Sequence, residues 1–374
     1  MTETYDVVIV GGGIVGAACG AACARGGLKV LVLERGLIGG GATATCMGHV
    51  VVMDDSEAQF ALTTYSSRLW RELADELPAG AEYDPCGTIW VAADDEEMEA
   101  VEQKHRSYNR AGLDARILGA AELAHAEPSL RSGLAGGLLV TEDIVVYPPV
   151  VAQCLLDRAK AHGAEIRTGA EVRGIGADGR VTLADGTAVL ANWAVNAAGC
   201  FSPSLTPGLP IRNRKGHLVV TDRYPGYIRH QLIELGYLKS AHAVQSDSVA
   251  MNIQPRKTGQ MLIGSSRQFD AEGSEAEMPI VDRMIRRATR YIPDLGRLSA
   301  IRIWAGHRGA TPDKLPLIGP STAGDRIWLA TGHEGLGITT SLGTGRMLAD
   351  LLLGRTPEIP AAPYSPLRFA SGGQ

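Results

Sequence analysis

The sequence predicts an α/β protein, a parallel-sheet domain into which an antiparallel α+β unit is inserted. Three observations predict it. The chain opens with an apolar run, a glycine turn, a small-residue helix and a second apolar run, together the length of one βαβ unit of about 30 residues. The same strand–glycine–helix pattern returns at 326–353. Between 210 and 305 the pattern changes to short alternating runs, which read as antiparallel strands.

Each element has a local cause. Residues 5–10 form a short apolar run that ends on Gly11-Gly12-Gly13, as a buried parallel strand does. Residues 14–25 are small and apolar, so a helix there can lie close to a sheet. Gly26-Gly27 ends that helix, and 28–33 form the second strand, ending at Glu34. A glycine-rich loop follows at 39–48. Ser56 caps a helix over 56–77, with Leu62, Leu69 and Leu73 on its inner face. Residues 94–111 are charged and helical. Pro148-Pro149 opens a helix that runs to His162-Gly163. Residues 164–191 read as a β-meander with turns at Asp178-Gly179 and Asp185-Gly186. A buried strand follows at 193–199. Short strands are predicted at 217–221, 249–254 and 260–264, then a basic helix at 279–291. After Gly354 the proline- and serine-rich tail predicts loose order.

Composition narrows the function. Of 374 residues, 45% are hydrophobic and 21% charged, enough for a core and against wholesale disorder. The net charge of −5 argues against nucleic-acid binding. Glycine is the deviation, 46 of 374 residues, against a usual share of about 7%. The excess signals tight turns and close backbone approaches. Cys19, Cys23, Cys46, Cys86, Cys154 and Cys200 form no CxxC pair and no zinc quartet, so reduced thiols and no metal are expected. Glu3 and Asp6 occupy the place of a basic leader region, and no apolar run approaches the ~18 residues of a membrane span. The expected location is the cytoplasm, with peripheral membrane contact left open.

Gly11-x-Gly13-x-x-Gly16 follows a strand and opens a helix. Gly11 allows the turn, Gly13 lets the backbone approach a pyrophosphate, and Gly16 permits close helix–strand packing. The helix N-terminus offers N–H groups to phosphate. Glu34 can take both ribose hydroxyls. The rival reading is a purely structural glycine turn, and the motif alone does not separate NAD from FAD. In the 39–48 loop, Thr43 and Thr45 can donate hydroxyls to phosphate, and Gly48 can let the backbone pass a ring. Gly332, Gly335 and Gly337 sit where a strand gives way to a helix, whose N-terminus could face the pyrimidine edge of a flavin. Arg308 lies between glycines and an apolar stretch, a setting for a pocket, and guanidinium matches carboxylate bidentately. His49, His307 and His333 stand beside the three glycine elements.

Together Gly11-x-Gly13-x-x-Gly16 with Glu34-Arg35, Ala197-Ala198-Gly199, Gly306-x-Arg308, Pro316-Leu317-Ile318-Gly319 and Thr331-Gly332-His333 resemble the D-amino acid oxidase/glycine oxidase/sarcosine oxidase family. The resemblance covers about residues 4–353 and includes Ile253-Gln254-Pro255-Arg256. Within the family, Thr43-Ala44-Thr45-x-x-Gly48-His49 followed by Val52-Met53-Asp54-Asp55 looks most like D-hydroxyproline dehydrogenases.

The resemblance implies an FAD-binding Rossmann-like domain of the glutathione reductase type, made of 1–85, 140–208 and 301–365. The inserted substrate domain would comprise 86–139 and 209–300. FAD would bind at Gly11, Gly13, Ile14, Val15, Gly16, Glu34 and Arg35. Ala42, Thr43, Thr45, Met47 and Gly48 would line the pyrophosphate and flavin. Val172 would meet the adenine, with Ala198, Gly199, Gly306 and Gly332 also against the cofactor. Glu334, Gly335, Leu336, Gly337, Ile338 and Thr339 would hold the flavin N1/O2 edge. Arg308 would pair with the substrate carboxylate, and His49 and His333 are candidates to contact substrate or flavin.

The implied chemistry is hydride transfer from the Cα of a small amino or imino acid, D-hydroxyproline or D-proline preferred, to flavin N5. The cysteine that tethers flavin in monomeric sarcosine oxidases falls near Gly306, which implies non-covalent FAD. The oxygen-activating lysine of those oxidases falls near Leu262, which leans toward a dehydrogenase using a quinone or partner protein. A tyrosine of glycine oxidases falls near Asn252, against a tight fit to glycine. An oligomer is expected. The rivals are an FAD-bearing subunit active only beside partner chains and an NAD-dependent dehydrogenase.

Overall fold

The computed structural model describes residues 4–236, 247–269, 271 and 273–369. In one eight-stranded sheet, Val172–Ile175 and Arg180–Leu183 branch from a six-strand path that runs through Leu317–Ser321, Gly324–Thr331, Ala188–Asn196, Thr4–Val10, Val30–Glu34 and Glu165–Thr168. The last five of these strands pair in parallel. Their apolar runs are buried because helices cover the sheet: Val7, Ile9 and Val32 share one core with Cys19, Leu156 and Leu348. Close packing follows from small side chains. A Cβ at Gly345 in helix Gly337–Leu352 would stand 2.5 Å from the carbonyl oxygen of Ala18 in helix Ile14–Arg25.

The second eight-stranded sheet orders Ala300–Ala310, Arg212–Thr221, Met261–Phe269, Ser248–Pro255, Gln231–Glu234, Thr88–Ala92, Gly136–Val140 and Ala115–Gly119. Its pairs are antiparallel except Gln231–Glu234 with Thr88–Ala92. The strand that carries Gly306 and Arg308 is hydrogen-bonded within this sheet, at its edge. Helix Met278–Thr289 packs against it through Val281, Met284 and Ala288.

Most sequence-predicted elements form, and their caps act as expected: Ser56 Oγ accepts from Gln59 N at 3.1 Å, and helix Glu57–Leu73 passes into a short 3₁₀ turn. Three expectations need correction. Glu165–Thr168 is not part of a meander, because it pairs in parallel with Val30–Glu34; only the following three strands form antiparallel hairpins. The strand expected at 217–221 begins at Arg212, five residues earlier. Its charged residues hid it, since Arg214 and Lys215 are buried in ion pairs. The tail is docked rather than loose through 369. Tyr364 is 1% exposed and donates to Ala58 O at 2.6 Å, and Arg368 grips Asp313 through two bonds of 2.7 and 3.0 Å. Residues 370–374 of that tail lie outside the described residues.

Candidate active site

Four parallel strands point their carboxyl ends at one place. Val10 runs into Gly11, Glu34 into Arg35, Asn196 into Ala197-Ala198-Gly199, and Thr331 into Gly332-His333. Open α/β sheets bind ligands at such strand ends. A cavity of about 820 Å³ opens there and reaches across to the second sheet.

One end of the cavity is built from backbone. Gly11 takes φ +117°, which a side chain resists, and a Cβ there would meet Ala197 O at 2.5 Å. A Cβ on Gly16 would stand 1.9 Å from Gly11 O, so the helix seats directly on the turn. Gly16 therefore packs behind the cavity, while Gly11, Gly13, Ile14 and Val15 line it. Thr43 Oγ1 accepts from Ile14 N at 3.0 Å, and Gly39 N donates to Gly12 O at 2.9 Å. These bonds join the second glycine loop to the helix N-terminus. Glu34 receives Gly12 N on one oxygen at 2.7 Å and Gly36 N on the other at 2.8 Å. Arg35 lies over the Phe201 ring, 3.9 Å from its centroid, beside Val172, Ala198 and Gly199 in the same wall.

The middle of the cavity is walled by Ala42, Thr45, Met47, Gly306 and Gly332. A side chain at 306 has no room: a Cβ would lie 2.2 Å from Thr45 Oγ1. A cysteine tether there is excluded by that contact as well as by the residue type. Gly48 does not line the cavity. Its φ of +89° lets its backbone pass Val146 O, which a Cβ would meet at 2.2 Å. Gly335, Leu336, Gly337 and Ile338 line the cavity at the start of the last helix. Thr339 lies just behind, buried, with its Oγ1 donating to His49 O at 3.3 Å and accepting from Val51 N at 3.2 Å.

The far end is built from side chains. Arg308 lies directly opposite Arg214 across the strand pair. Like charges so placed repel. Glu334 answers them: it pairs with Arg214, and Arg267 stands 3.8 Å away. Burial pushes the Glu334 carboxyl up, but Arg267, Arg214 and Arg308 outweigh it and hold it below the ordinary glutamate value. Glu334 thus turns its carboxylate into an arginine cluster, at a residue whose φ is +50°. Arg308 Nη2 donates to Ser266 O at 3.0 Å. Gly335 leaves space for it, a Cβ there being 3.8 Å from Nη1.

Both candidate histidines are neutral. Burial lowers His49 to about 4, helped by Arg308, and burial lowers His333 to about 3. His333 Nε2 is engaged with Thr344 Oγ1 at 3.0 Å. His307 lines the cavity with its Nε2 3.2 Å from Ala271 O. The apolar lining of the cavity includes Trp90, Met53, Ile233 and Leu336, and Asn252 lines it too. No cluster of metal-ligating side chains occurs among the described residues, and no helix among them is long and apolar enough to cross a membrane.

The sequence reading missed Arg214, Arg267, Gly216 and Trp90. Basic residues clustered at 212, 214 and 215, next to a predicted strand, were a usable signal. A charge within a buried strand requires a partner or a ligand.

The residues fit a dinucleotide cofactor at the backbone end: a glycine turn with no room for a Cβ at Gly11 or Gly16, a helix N-terminus and an acid ending the second strand. Comparison with known proteins names the cofactor. The family model "FAD dependent oxidoreductase" (DAO) matches residues 6–351. Glycine oxidase of Bacillus licheniformis is 27% identical over 95% of this chain and 94% of its own. The hydrogen cyanide synthase subunit HcnC of Pseudomonas aeruginosa is 27% identical over 99% and 97%. The crystal structure of glycine oxidase from Geobacillus kaustophilus superposes with a TM-score of 0.86 at 26% identity, covering 97% of this chain and 98% of that one. L-proline dehydrogenase from P. horikoshii shares the fold, with a TM-score of 0.89 at 24% identity over 100% and 99%. The chain belongs to the DAO family and is an FAD-dependent oxidoreductase.

Proposed function

We propose that the protein oxidises a small cyclic D-amino or imino acid, D-hydroxyproline or D-proline preferred, and passes the electrons to an acceptor other than oxygen. One observation carries the reading: Arg308 shares a cavity with an apolar wall that includes Trp90, Ile233 and Leu336. The arginine binds the carboxylate bidentately, and the wall takes the ring. FAD, bound non-covalently, would accept the hydride from the substrate Cα. The backbone end, at Gly11, Gly13, Ile14, Val15, Glu34 and Arg35, would hold it, and the start of helix Gly337–Leu352 would face its pyrimidine edge. His49 and His333, both neutral, shape the cavity without adding charge beside the arginines.

In this reading the cofactor unit spans 1–85, 140–208 and 301–365. The substrate unit spans 86–139 and 209–300, and the strand Ala300–Ala310 binds the two together. Leu262 supports the choice of acceptor. It is buried in an apolar cluster with Met47 and Leu218, so this position supplies no cation to aid oxygen reduction. A quinone or a partner protein is then the acceptor, and an oligomer or a partner subunit is part of the same reading. The glycine oxidase relatives favour a second reading, oxidation of glycine or sarcosine.

An anaerobic absorbance titration of the flavin-loaded protein separates them. Bleaching by cis-4-hydroxy-D-proline with slow return of colour in air is the expected result. Bleaching by glycine or sarcosine alone would overturn the preferred substrate, and rapid reoxidation in air would overturn the acceptor.

A further inference from the structure

Arg308 reaches an unusual distance. Its strand, Ala300–Ala310, pairs with Arg212–Thr221, yet its guanidinium bonds to Ser266 on the third strand, Met261–Phe269. Two features allow this. Gly216 has no side chain: a Cβ there would stand 2.0 Å from Arg308 Nη2. The ladder between the second and third strands is also interrupted. Lys215 pairs with Gln268 and Val219 with Ile263, so three residues of one strand face four of the other. Such a bulge breaks the local backbone pairing and re-aims the groups beside a site.

His217 lies inside the bulge and is fully buried. Its backbone N–H donates to Ser266 Oγ at 2.9 Å, where the ladder would have used a carbonyl. Its ring Nε2 accepts from Glu277 N at 3.0 Å. The ring proton therefore sits on Nδ1 and is donated to the same Ser266 Oγ at 2.9 Å. Burial lowers the imidazole pKa, in line with a neutral ring in that tautomer. Ser266 is thus held twice through its side chain on one face, and its carbonyl presents to Arg308 on the other. Glu277 in turn bonds Lys215 at 2.8 Å and precedes helix Met278–Thr289.

We propose that His217 and Ser266 are positioning residues that aim Arg308 at the substrate carboxylate. The inference rests on Arg308 being the carboxylate anchor, and the test keeps the two ideas apart. The flavin-loaded protein is titrated with pyrrole-2-carboxylate and with its neutral counterpart pyrrole-2-carboxamide, reading the flavin absorbance. The wild type is expected to prefer the carboxylate, and Arg308→Met to lose that preference. His217→Phe and Ser266→Ala should each weaken carboxylate binding about tenfold and leave amide binding unchanged, the scale of one misplaced charge-assisted bond. His217→Asn, which keeps a donor near the Nδ1 position, should restore most of the affinity.

The positioning role falls if His217→Phe and Ser266→Ala bind the carboxylate as wild type while Arg308→Met does not. It also falls if they weaken both ligands equally, the mark of a general structural role. If Arg308→Met itself binds like wild type, the anchor reading is the one that fails. Should His217→Phe not fold, Ser266→Ala, which removes a single oxygen, decides the matter.

Discussion

The two ends of the cavity are made differently. At the glycine-turn end, glycines abut backbone: Gly16 against Gly11 O, Gly11 against Ala197 O. At the arginine end, Gly216 abuts the tip of a side chain, Arg308 Nη2. Backbone in a sheet-and-helix core cannot step aside, whereas a guanidinium on a long stem can. The same residue type therefore guards the fold in one place and the position of an arginine side chain in the other.

The largest effect should come from Gly16→Val. Its Cβ would overlap Gly11 O, so the helix must lift from its strand, at a cost of about 3 kcal/mol or more. Purified variant should retain little FAD, measured as the flavin-to-protein absorbance ratio, and melt well below wild type. A variant that stays yellow and stable would break the contrast.

Gly216→Ala should act on the other side of it. The fold should survive with full FAD content, because the end of Arg308 can move and Ser266 O, 3.1 Å from the new Cβ, need shift only slightly. Affinity for a carboxylate ligand should fall about tenfold, the loss of roughly one charge-assisted hydrogen bond. Equal loss of FAD from this variant would show that the two ends are not independent.

Glu334→Gln sharpens the electrostatics of the arginine end. Removing the carboxylate that pairs with Arg214 leaves like charges facing each other across the strand pair. A loss of about 3 kcal/mol is expected at neutral pH, by the usual cost of breaking a buried pair. The sign of its pH dependence follows from the lowered carboxyl pKa. The stabilisation is present above the ordinary value of 4.5 and fades as pH falls below it, toward the folded value. Melting curves of wild type and variant should therefore converge on acidification below pH 4.5 and stay apart above it. A gap that persists unchanged in acid would mean that Glu334 acts through packing rather than charge.

His49 adds a trend of opposite origin. Its pKa is lowered from 6.5 to about 4, so the unfolded chain takes up the proton first. Stability from this group is complete above pH 6.5 and falls as pH drops toward 4. His49→Phe should flatten that part of the stability-against-pH profile.

The glycine-turn end could be read from the chain because its parts are local. Strand, glycine turn, helix and acid occur in order within 5–34, and each residue type has one backbone reason to be there. Arg308 could also be placed, through its flanking glycines. The parallel–antiparallel division and the caps were legible for the same reason, as periodicity and turn chemistry act over a few residues. Apolar alternation, by contrast, could not mark Arg212–Thr221 as a strand from its start. Its first residues are charged, and partners distant in sequence neutralise them: Glu334 for Arg214, Glu277 for Lys215. The tail misled in a similar way. Proline and serine signal loose chain, yet Tyr364 and Arg368 find a pocket and an aspartate on a loop far away in sequence.

By itself, then, the sequence determined the fold class, the strand–glycine turn–helix unit with its acid, and the family, since each is written in contiguous residues whose backbone needs are specific. Only the tertiary structure decided which charges share the cavity with Arg308. It set Arg214 opposite, brought Arg267 and Glu334 alongside, and carried His217 and Ser266 behind. Those groups come from separate segments, and electrostatic balance among buried charges is a property of their distances, which no single stretch of chain encodes.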